Sequence, residues 1–153
     1  MAVSSSLTSL DLDGNEIGPK GGLEIAGAMK VNCSLTVCSL KDNKLGNKGW
    51  CAVFDALREN AGNSIMMWDL SDQGINPTIA KPLASYMAIS GSLTSLYLHE
   101  NGIGNKGATA IAEALKGNNS LTNIYFGDNK LGPKAGAAIV EALKVNDTLT
   151  ALE

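Results

Sequence analysis

The stretch that decides the fold is Ser92–Asn119, which reads SLTSLYLHENGIGNKGATAIAEALKGNN. Its first apolar residue belongs to a series that runs along the whole chain, at Leu7, Leu35, Ile65, Leu93, Leu121 and Leu149. Successive members are 28 residues apart, except for one step of 30 between Leu35 and Ile65. Self-similarity at a fixed period of this size indicates a solenoid of stacked structural units.

The spacing of apolar residues within one copy predicts its local structure. Leu10 and Leu12 alternate with polar residues, which is typical of a strand with one buried face. Ile25 and Met29 are four residues apart among small residues, which indicates an amphipathic helix. The segment 14–19 between them has turn composition. Each copy is therefore predicted to contain a strand, a loop, a helix and a second loop.

Stacking the copies predicts an α/β solenoid. One copy cannot bury its apolar side alone, but stacked copies share a continuous core. Because helices are wider than the spacing between strands, we expect a parallel β-sheet on the concave face and helices on the convex face. We expect a single domain over residues 1–153, with copies at about 7–34, 35–64, 65–92, 93–120 and 121–148 and a partial copy at 149–153.

The pattern LxxLxLxxN, the 28-residue period and the G-x-x-x-x-x-x-I-A-x-A-L helix resemble the ribonuclease-inhibitor-like class of leucine-rich repeats. The phrase IAEALKxNxSLT is similar to the repeat regions of NOD-like receptors. The resemblance implies a right-handed horseshoe with protein recognition on its concave face. It also implies a structural role, at the turn after each strand, for the column Asn15, Asn43, Gln73, Asn101 and Asn129.

Composition and termini argue against several classes of protein. The net charge is −3, and no Lys/Arg cluster occurs, so we expect no binding to nucleic acid or to a membrane surface. No apolar run is long enough to span a bilayer. The first residues, 1–6, do not resemble a signal peptide, which favours a cytoplasmic location. The three cysteines, Cys33, Cys38 and Cys51, are predicted to be reduced, buried small hydrophobes.

No set of residues predicts catalysis, a metal or a cofactor. The segment 102–107 reads G-x-G-x-x-G between a strand and a helix, which is the context of a dinucleotide site. The equivalent loops of the other copies carry related glycine-rich sequences, so we interpret it as one variant of a repeating turn. His99 is the only histidine, and the cysteines lack CxxC spacing. The N-x-[ST] strings at Asn32, Asn118 and Asn146 all fall at the turn after a helix, which suffices to explain them.

The third copy departs from the pattern. Its unusual residues are Gln73, Asn76, Pro77 and Pro82, so its helix is expected to start late or to be partly irregular. Trp68 occupies a leucine column next to the small Cys38, which suggests compensation of volume. A two-residue insertion lies within residues 58–64. A locally repacked repeat and a functional kink both remain open as interpretations.

The side chains between the column leucines are expected to face a partner. The candidate partner-binding residues are Asp11, Met67, Asp69, Tyr97, His99 and Tyr125. Tyr97 and Tyr125 fall on adjacent strands, close enough to touch, and aromatic residues are enriched at interface hot spots. A tyrosine pair that merely covers the sheet is the alternative. The acidic run of Asp42, Asp72, Glu100 and Asp128 is either a solvated loop edge or an attraction for a basic partner.

The function expected from these features is a non-catalytic protein-interaction module, either alone or as a fragment of a larger receptor or scaffold. One alternative is a GTPase activator of the Ran GTPase-activating protein type. In that case the only arginine, Arg58, would be the candidate for stabilising the charge that develops during phosphoryl transfer. A scaffold without a dedicated ligand is the other alternative. The uncapped ends of the solenoid leave end-to-end self-association open.

Overall fold

A computed structural model describes residues 6–153, in which short strands alternate with helices. The elements are β1 Ser9–Asp11, α1 Gly18–Met29, β2 Val37–Ser39, α2 Gly46–Glu59, β3 Met67–Asp69, α3 Pro77–Met87, β4 Ser95–Tyr97, α4 Gly104–Leu115, β5 Asn123–Tyr125, α5 Pro133–Leu143 and β6 Ala151–Leu152. Residues 1–5, which hold most of the segment inspected for a signal peptide, lie outside the described residues. None of the described helices is long and apolar enough to cross a membrane.

The strands form one parallel sheet in the order in which they occur along the chain. The register places each leucine column in line, with Trp68 opposite Leu96 and Leu96 opposite Ile124. Each helix packs beside the next one along the chain, from α1 to α5. The predicted α/β leucine-rich repeat solenoid, with its sheet on the concave side and its helices on the convex side, is confirmed.

The core is the shared interior of the copies. Leu70, Leu98 and Ile111 are completely buried, which places the strand columns and the helix columns in one apolar layer. The apolar columns are more open at the two ends, where Leu7 is 43% exposed and Leu143 is 42% exposed. Stacking between copies therefore supplies the burial that no copy has alone.

Asparagines at the turns after α2, α4 and α5 form a ladder that joins neighbouring copies. The side-chain amide of Asn60 donates to the carbonyl oxygens of Met29 and Asn32 at 2.8 and 2.7 Å. The amide of Asn146 does the same for Leu115 and Asn118, at 2.7 and 3.0 Å. Buried carbonyl groups need such donors, so the repeated asparagine at this turn is structural.

The two-residue insertion before the third strand repairs a gap in this ladder. Ser90 stands where the other copies have asparagine, and its hydroxyl oxygen accepts a hydrogen bond from the backbone amide of Leu93 at 3.1 Å. Asn63, within the insertion, donates instead to the carbonyl oxygens of Leu57 and Asn60, at 3.4 and 3.1 Å. Asn63 also accepts a hydrogen bond from the hydroxyl of Tyr86 at 3.3 Å. The insertion therefore has a structural role, as expected of a repacked repeat.

The substitution Asn63→Ala is expected to lower the free energy of unfolding by about 1–3 kcal/mol, because it leaves two carbonyls without their donor. Adding Ser90→Asn restores the amide from the usual position of the ladder, so the double variant should recover at least half of the loss. Urea unfolding of the wild type, both single variants and the double variant measures this coupling. Strictly additive effects would show that Asn63 does not replace the missing asparagine.

Four aromatic rings fill the core between the second and third copies. The Trp50 ring stacks on Phe54 at 5.7 Å between centroids, and Trp68 packs edge-on against both, at 6.1 and 6.0 Å. Phe54 in turn stacks on Tyr86 at 6.4 Å. Burial raises the pKa of Tyr86 to about 12. Trp68 therefore shares this part of the core with rings from α2 and α3.

The third helix starts one residue later than α1, α2 and α4, as the late-start alternative predicts, and α5 starts at the same later position. The side chain of Asn76 accepts hydrogen bonds from the backbone amides of Thr78 and Ile79, at 2.9 and 3.3 Å, and caps the helix. The helix continues through Pro82 to Met87. Proline lacks the N–H that would bond the carbonyl of Thr78, and the thiol of Cys51 lies 3.7 Å from that oxygen.

The prediction of three buried cysteines is correct for Cys38 and wrong for Cys33. Cys38 points into the core, and burial, with a smaller effect of Asp13 and Asp11, raises its pKa to about 12. Cys51 is half-buried, and burial also raises its pKa. Cys33 is exposed because it lies in the turn after α1, outside the apolar columns. All three thiols are free.

Candidate functional site

The side chains that alternate with the buried strand residues project from the sheet on the side away from the helices. We call this the concave surface, and its residues are Ser9, Asp11, Asp13, Val37, Ser39, Lys41, Met67, Asp69, Ser71, Ser95, Tyr97, His99, Asn123 and Tyr125. In β4 and β5 the middle residue is buried and the two flanking residues are partly exposed. All six residues predicted from the sequence as partner-binding lie on this surface.

Two stacked tyrosines lie on the concave surface. Tyr97 and Tyr125 are register partners on β4 and β5, and their rings stack with centroids 4.7 Å apart and planes within 5°. His99 packs edge-on against Tyr97 at 6.4 Å. Both tyrosines remain partly exposed, and the Tyr125 hydroxyl accepts a hydrogen bond from Asn123 at 3.4 Å. The aromatic pair is thus held in place before any partner arrives.

Asp69, the register partner of Tyr97 on β3, is an oriented carboxylate. One of its oxygens accepts hydrogen bonds from the hydroxyl and the backbone amide of Ser71, at 2.6 and 3.1 Å. The other accepts from the ammonium group of Lys41 at 3.0 Å. Burial alone would raise the pKa of Asp69, but the bonds from Ser71 and Lys41 outweigh it, and the pKa is lowered. The group is therefore charged at neutral pH.

Asp13, which was not a candidate, organises the neighbouring part of the surface. Its Oδ1 accepts hydrogen bonds from the hydroxyl of Ser39 at 2.6 Å and from the backbone amide of Lys41 at 2.7 Å. The exposed Asp11 accepts from the backbone amide of Asp13 at 3.0 Å. These bonds fix the two carboxylates relative to the first two strands.

The contact between the second and third strands is looser than the others. It has one register pair, Val37 opposite Met67, whereas β1–β2, β3–β4 and β4–β5 each have three. The amide of Asp42 donates to the side chain of Gln73 at 3.0 Å. Val37 and Met67 are 40% and 37% exposed, and they form an apolar patch beside the aspartates. The concave surface therefore combines apolar, acidic and aromatic parts.

The acidic run after the strands has a conformational explanation. Asp42, Asp72, Glu100 and Asp128 all have φ between 54° and 56°, in the left-handed region, and Gly14 takes this position in the first copy. Aspartate tolerates this conformation better than most residues. Turn geometry therefore accounts for the aspartates at these positions, although their charge still borders the concave surface.

The residues considered for dinucleotide binding, GTPase activation or metal binding either have packing roles or lie outside the concave surface. Gly104 has φ of 58°, and a Cβ on Gly107 would lie 2.9 Å from the Cβ of Ala80, so both glycines serve the turn and the helix packing. Arg58, at the end of α2, lies near Asp55 and Glu59, at 3.8 and 4.0 Å. Within residues 6–153 no three His, Cys, Asp or Glu side chains are grouped in a way that could hold a metal ion.

Comparison with known proteins agrees with this architecture. A family described as leucine-rich repeat matches residues 3–26 and 92–112. The solved structure of leiomodin-1 actin-binding site 2 superimposes with a TM-score of 0.73 and 27% sequence identity, over 86% of this chain and 75% of that chain. The tropomodulin C-terminal domain of Caenorhabditis elegans, at 12% identity, shares the fold, with a TM-score of 0.65 over 98% of this chain and 74% of that one. No curated protein matches. The chain has the fold of a leucine-rich repeat solenoid.

Proposed function

We propose that the chain is a non-catalytic protein-interaction module that binds a protein partner through its concave surface. The observation that carries the proposal is the stacked, partly exposed pair of Tyr97 and Tyr125 beside the oriented carboxylate of Asp69. Rigid aromatic side chains lose little entropy on binding and dominate many interface hot spots. His99 packs against Tyr97, and Met67 and Asp11 extend the contact toward the first strand.

Actin is a specific candidate for the protein partner. The observation that favours it is the 27% identity, over 86% of this chain, to a structure whose title names an actin-binding site. Pelleting of the purified chain with actin filaments tests it, together with anisotropy of the labelled chain against actin monomers. Binding that Tyr97→Ala/Tyr125→Ala abolishes would identify actin as the partner on the concave surface. Absence of binding in both assays would exclude actin as the partner.

Several finer assignments belong to the same proposal. We place the repeats in the ribonuclease-inhibitor-like class, similar to those of NOD-like receptors, in one domain of a cytoplasmic protein that requires no cofactor. The GTPase-activator alternative finds no support at Arg58, whose guanidinium lies near two acidic side chains at a helix end. Measuring GTP hydrolysis by a small GTPase with the wild type and with Arg58→Ala tests that alternative.

Photo-crosslinking separates a binding module from a scaffold without a ligand. A benzophenone side chain is placed at Ser95 on the concave surface and, as the matched control, at the exposed Lys106 on α4. We expect a partner to be captured from Ser95 and not from Lys106, in extracts of the source organism. The purified partner should then bind Tyr97→Ala/Tyr125→Ala at least about tenfold more weakly than the wild type. Capture from Lys106 alone, or equal affinity of the two forms, would refute the proposal.

A further inference from the structure

We infer that the concave surface receives an arginine from a basic segment of its protein partner, with the guanidinium group between the ring of Tyr97 and the carboxylate of Asp69. The inference rests on the proposed function and names the chemistry of the partner. It starts from the way charge is distributed between the two sides of the solenoid.

Seven of the fifteen acidic side chains lie on the first five strands or on the residues directly after them. The strands and the residues directly after them carry Asp11, Asp13, Asp42, Asp69, Asp72, Glu100 and Asp128. Lys41 is the one cation in those segments, and it is paired with Asp69 at 3.0 Å. Of the other lysines, Lys44 and Lys130 lie in the loops just beyond these segments and the rest lie on or beside the helices, so these segments are more acidic than the chain as a whole. Charge complementarity therefore favours a cationic segment.

The aromatic pair gives that cation a place to bind. The ring centroids of Tyr97 and Tyr125 are 4.7 Å apart, which is close to the spacing of neighbouring strands. Both rings therefore project roughly perpendicular to the sheet, and one face of each ring contacts the other ring. The second face of Tyr97 is directed along the row toward β3, where Asp69 is its register partner. A cation over this face gains both a cation–π contact and an ion pair.

The carboxylate of Asp69 can accept one more donor. Its Oδ1 accepts two hydrogen bonds from Ser71, and its Oδ2 accepts one from Lys41. A carboxylate has about four acceptor positions, which leaves one on Oδ2. Lys41 approaches from β2, the side opposite Tyr97, so an incoming group on the Tyr97 side does not displace it.

Arginine fits this position better than lysine. Its planar guanidinium group stacks flat on an aromatic ring while its N–H groups point outward to a carboxylate. An ammonium group is compact and more strongly hydrated, and it gains less from the ring. The exposed Val37 and Met67 next to Asp69 would pack against apolar neighbours of the arginine in the partner segment.

A set of matched peptides tests the inference. The probe is a fluorescent heptapeptide in which three arginines alternate with glycine, and lysine and citrulline replace arginine in two further versions. Citrulline keeps the shape of arginine without its charge. Fluorescence anisotropy with the wild-type chain should give the tightest binding for arginine, about threefold to tenfold weaker binding for lysine, and the weakest for citrulline.

Variants assign the binding to the concave surface. Tyr97→Ala and Asp69→Asn should each weaken the arginine peptide about threefold to tenfold, whereas Tyr97→Phe keeps the ring and should bind as the wild type does. Glu113→Gln on α4 removes the same charge from the helix side and should have no effect. Equal binding of the arginine and citrulline peptides, or equal losses for Glu113→Gln and Asp69→Asn, would overturn the inference. A Ser95 crosslink whose partner needs the tyrosines, combined with no preference for arginine, would overturn the inference alone and leave the proposed function intact.

Discussion

Replacing Trp68 by alanine is expected to lower the free energy of unfolding by about 3–5 kcal/mol. The side chain is 1% exposed and packs edge-on against Trp50 and Phe54. Its removal would leave a cavity that rigid rings cannot fill, since aromatic side chains collapse into empty space less readily than flexible ones. Urea unfolding followed by far-ultraviolet circular dichroism measures the loss.

The column to which Trp68 belongs provides the matched control. Trp68→Leu installs the residue found in β1 and β4, and it should cost about 1–2 kcal/mol because part of the volume is kept. Combining it with Cys38→Leu, which enlarges the neighbouring position, should cost less than the sum of the two single changes. A loss below about 1 kcal/mol for Trp68→Ala would mean that the rings do not pack as described.

The second large effect is expected for Asn101→Ala, at about 3–4 kcal/mol. The side chain of Asn101 donates to the carbonyl oxygens of Leu70 and Leu98 at 2.8 and 2.9 Å and to that of His99 at 3.2 Å. Its oxygen also accepts from the backbone amides of Gln73 and Ile75 at 3.1 and 2.8 Å. Removing these bonds leaves several buried backbone groups without partners, each at a cost of about 1–3 kcal/mol that is only partly additive.

Asn15→Ala is the control, because it changes the same residue type in the same column. Asn15 is exposed, and within residues 6–153 its amide donates to the carbonyl oxygens of Leu12 and Asp13, both in its own copy. We expect a loss below about 1 kcal/mol. Chemical unfolding of both variants should therefore differ by at least about 2 kcal/mol. Similar losses at the two positions would contradict the role of Asn101 in joining adjacent copies.

The architecture could be predicted because it depends on periodicity. A column such as Leu12, Leu40, Leu70 and Leu98 needs no knowledge of distant contacts, since each member meets its equivalent in the next copy. The same register placed Tyr97 beside Tyr125 and identified which side chains face outward. Alignment of the repeats thus predicts both the residues of the core and the position of the candidate surface.

Contacts that break the period could not be predicted in this way. Asn63 replaces the asparagine missing at position 90 from a different place in the repeat, so no column contains it. Trp50 and Tyr86 occupy columns of small residues elsewhere, and their excess volume was the available signal for the aromatic core. The bond from Ser71 to Asp69 depends on side-chain rotamers, which spacing does not determine.

Hydroxyl-radical footprinting of the chain, alone and with the partner captured from Ser95, tests the central claim most directly. Met67, Tyr97, His99 and Tyr125 are readily oxidised and lie on the concave surface, whereas the exposed Ile89 and Val140 lie on the helix side. We predict that the partner slows oxidation of the concave residues severalfold and leaves Ile89 and Val140 unchanged. Protection of Ile89 and Val140, with Tyr97 and Tyr125 still oxidised at their free rates, would contradict binding through the concave surface.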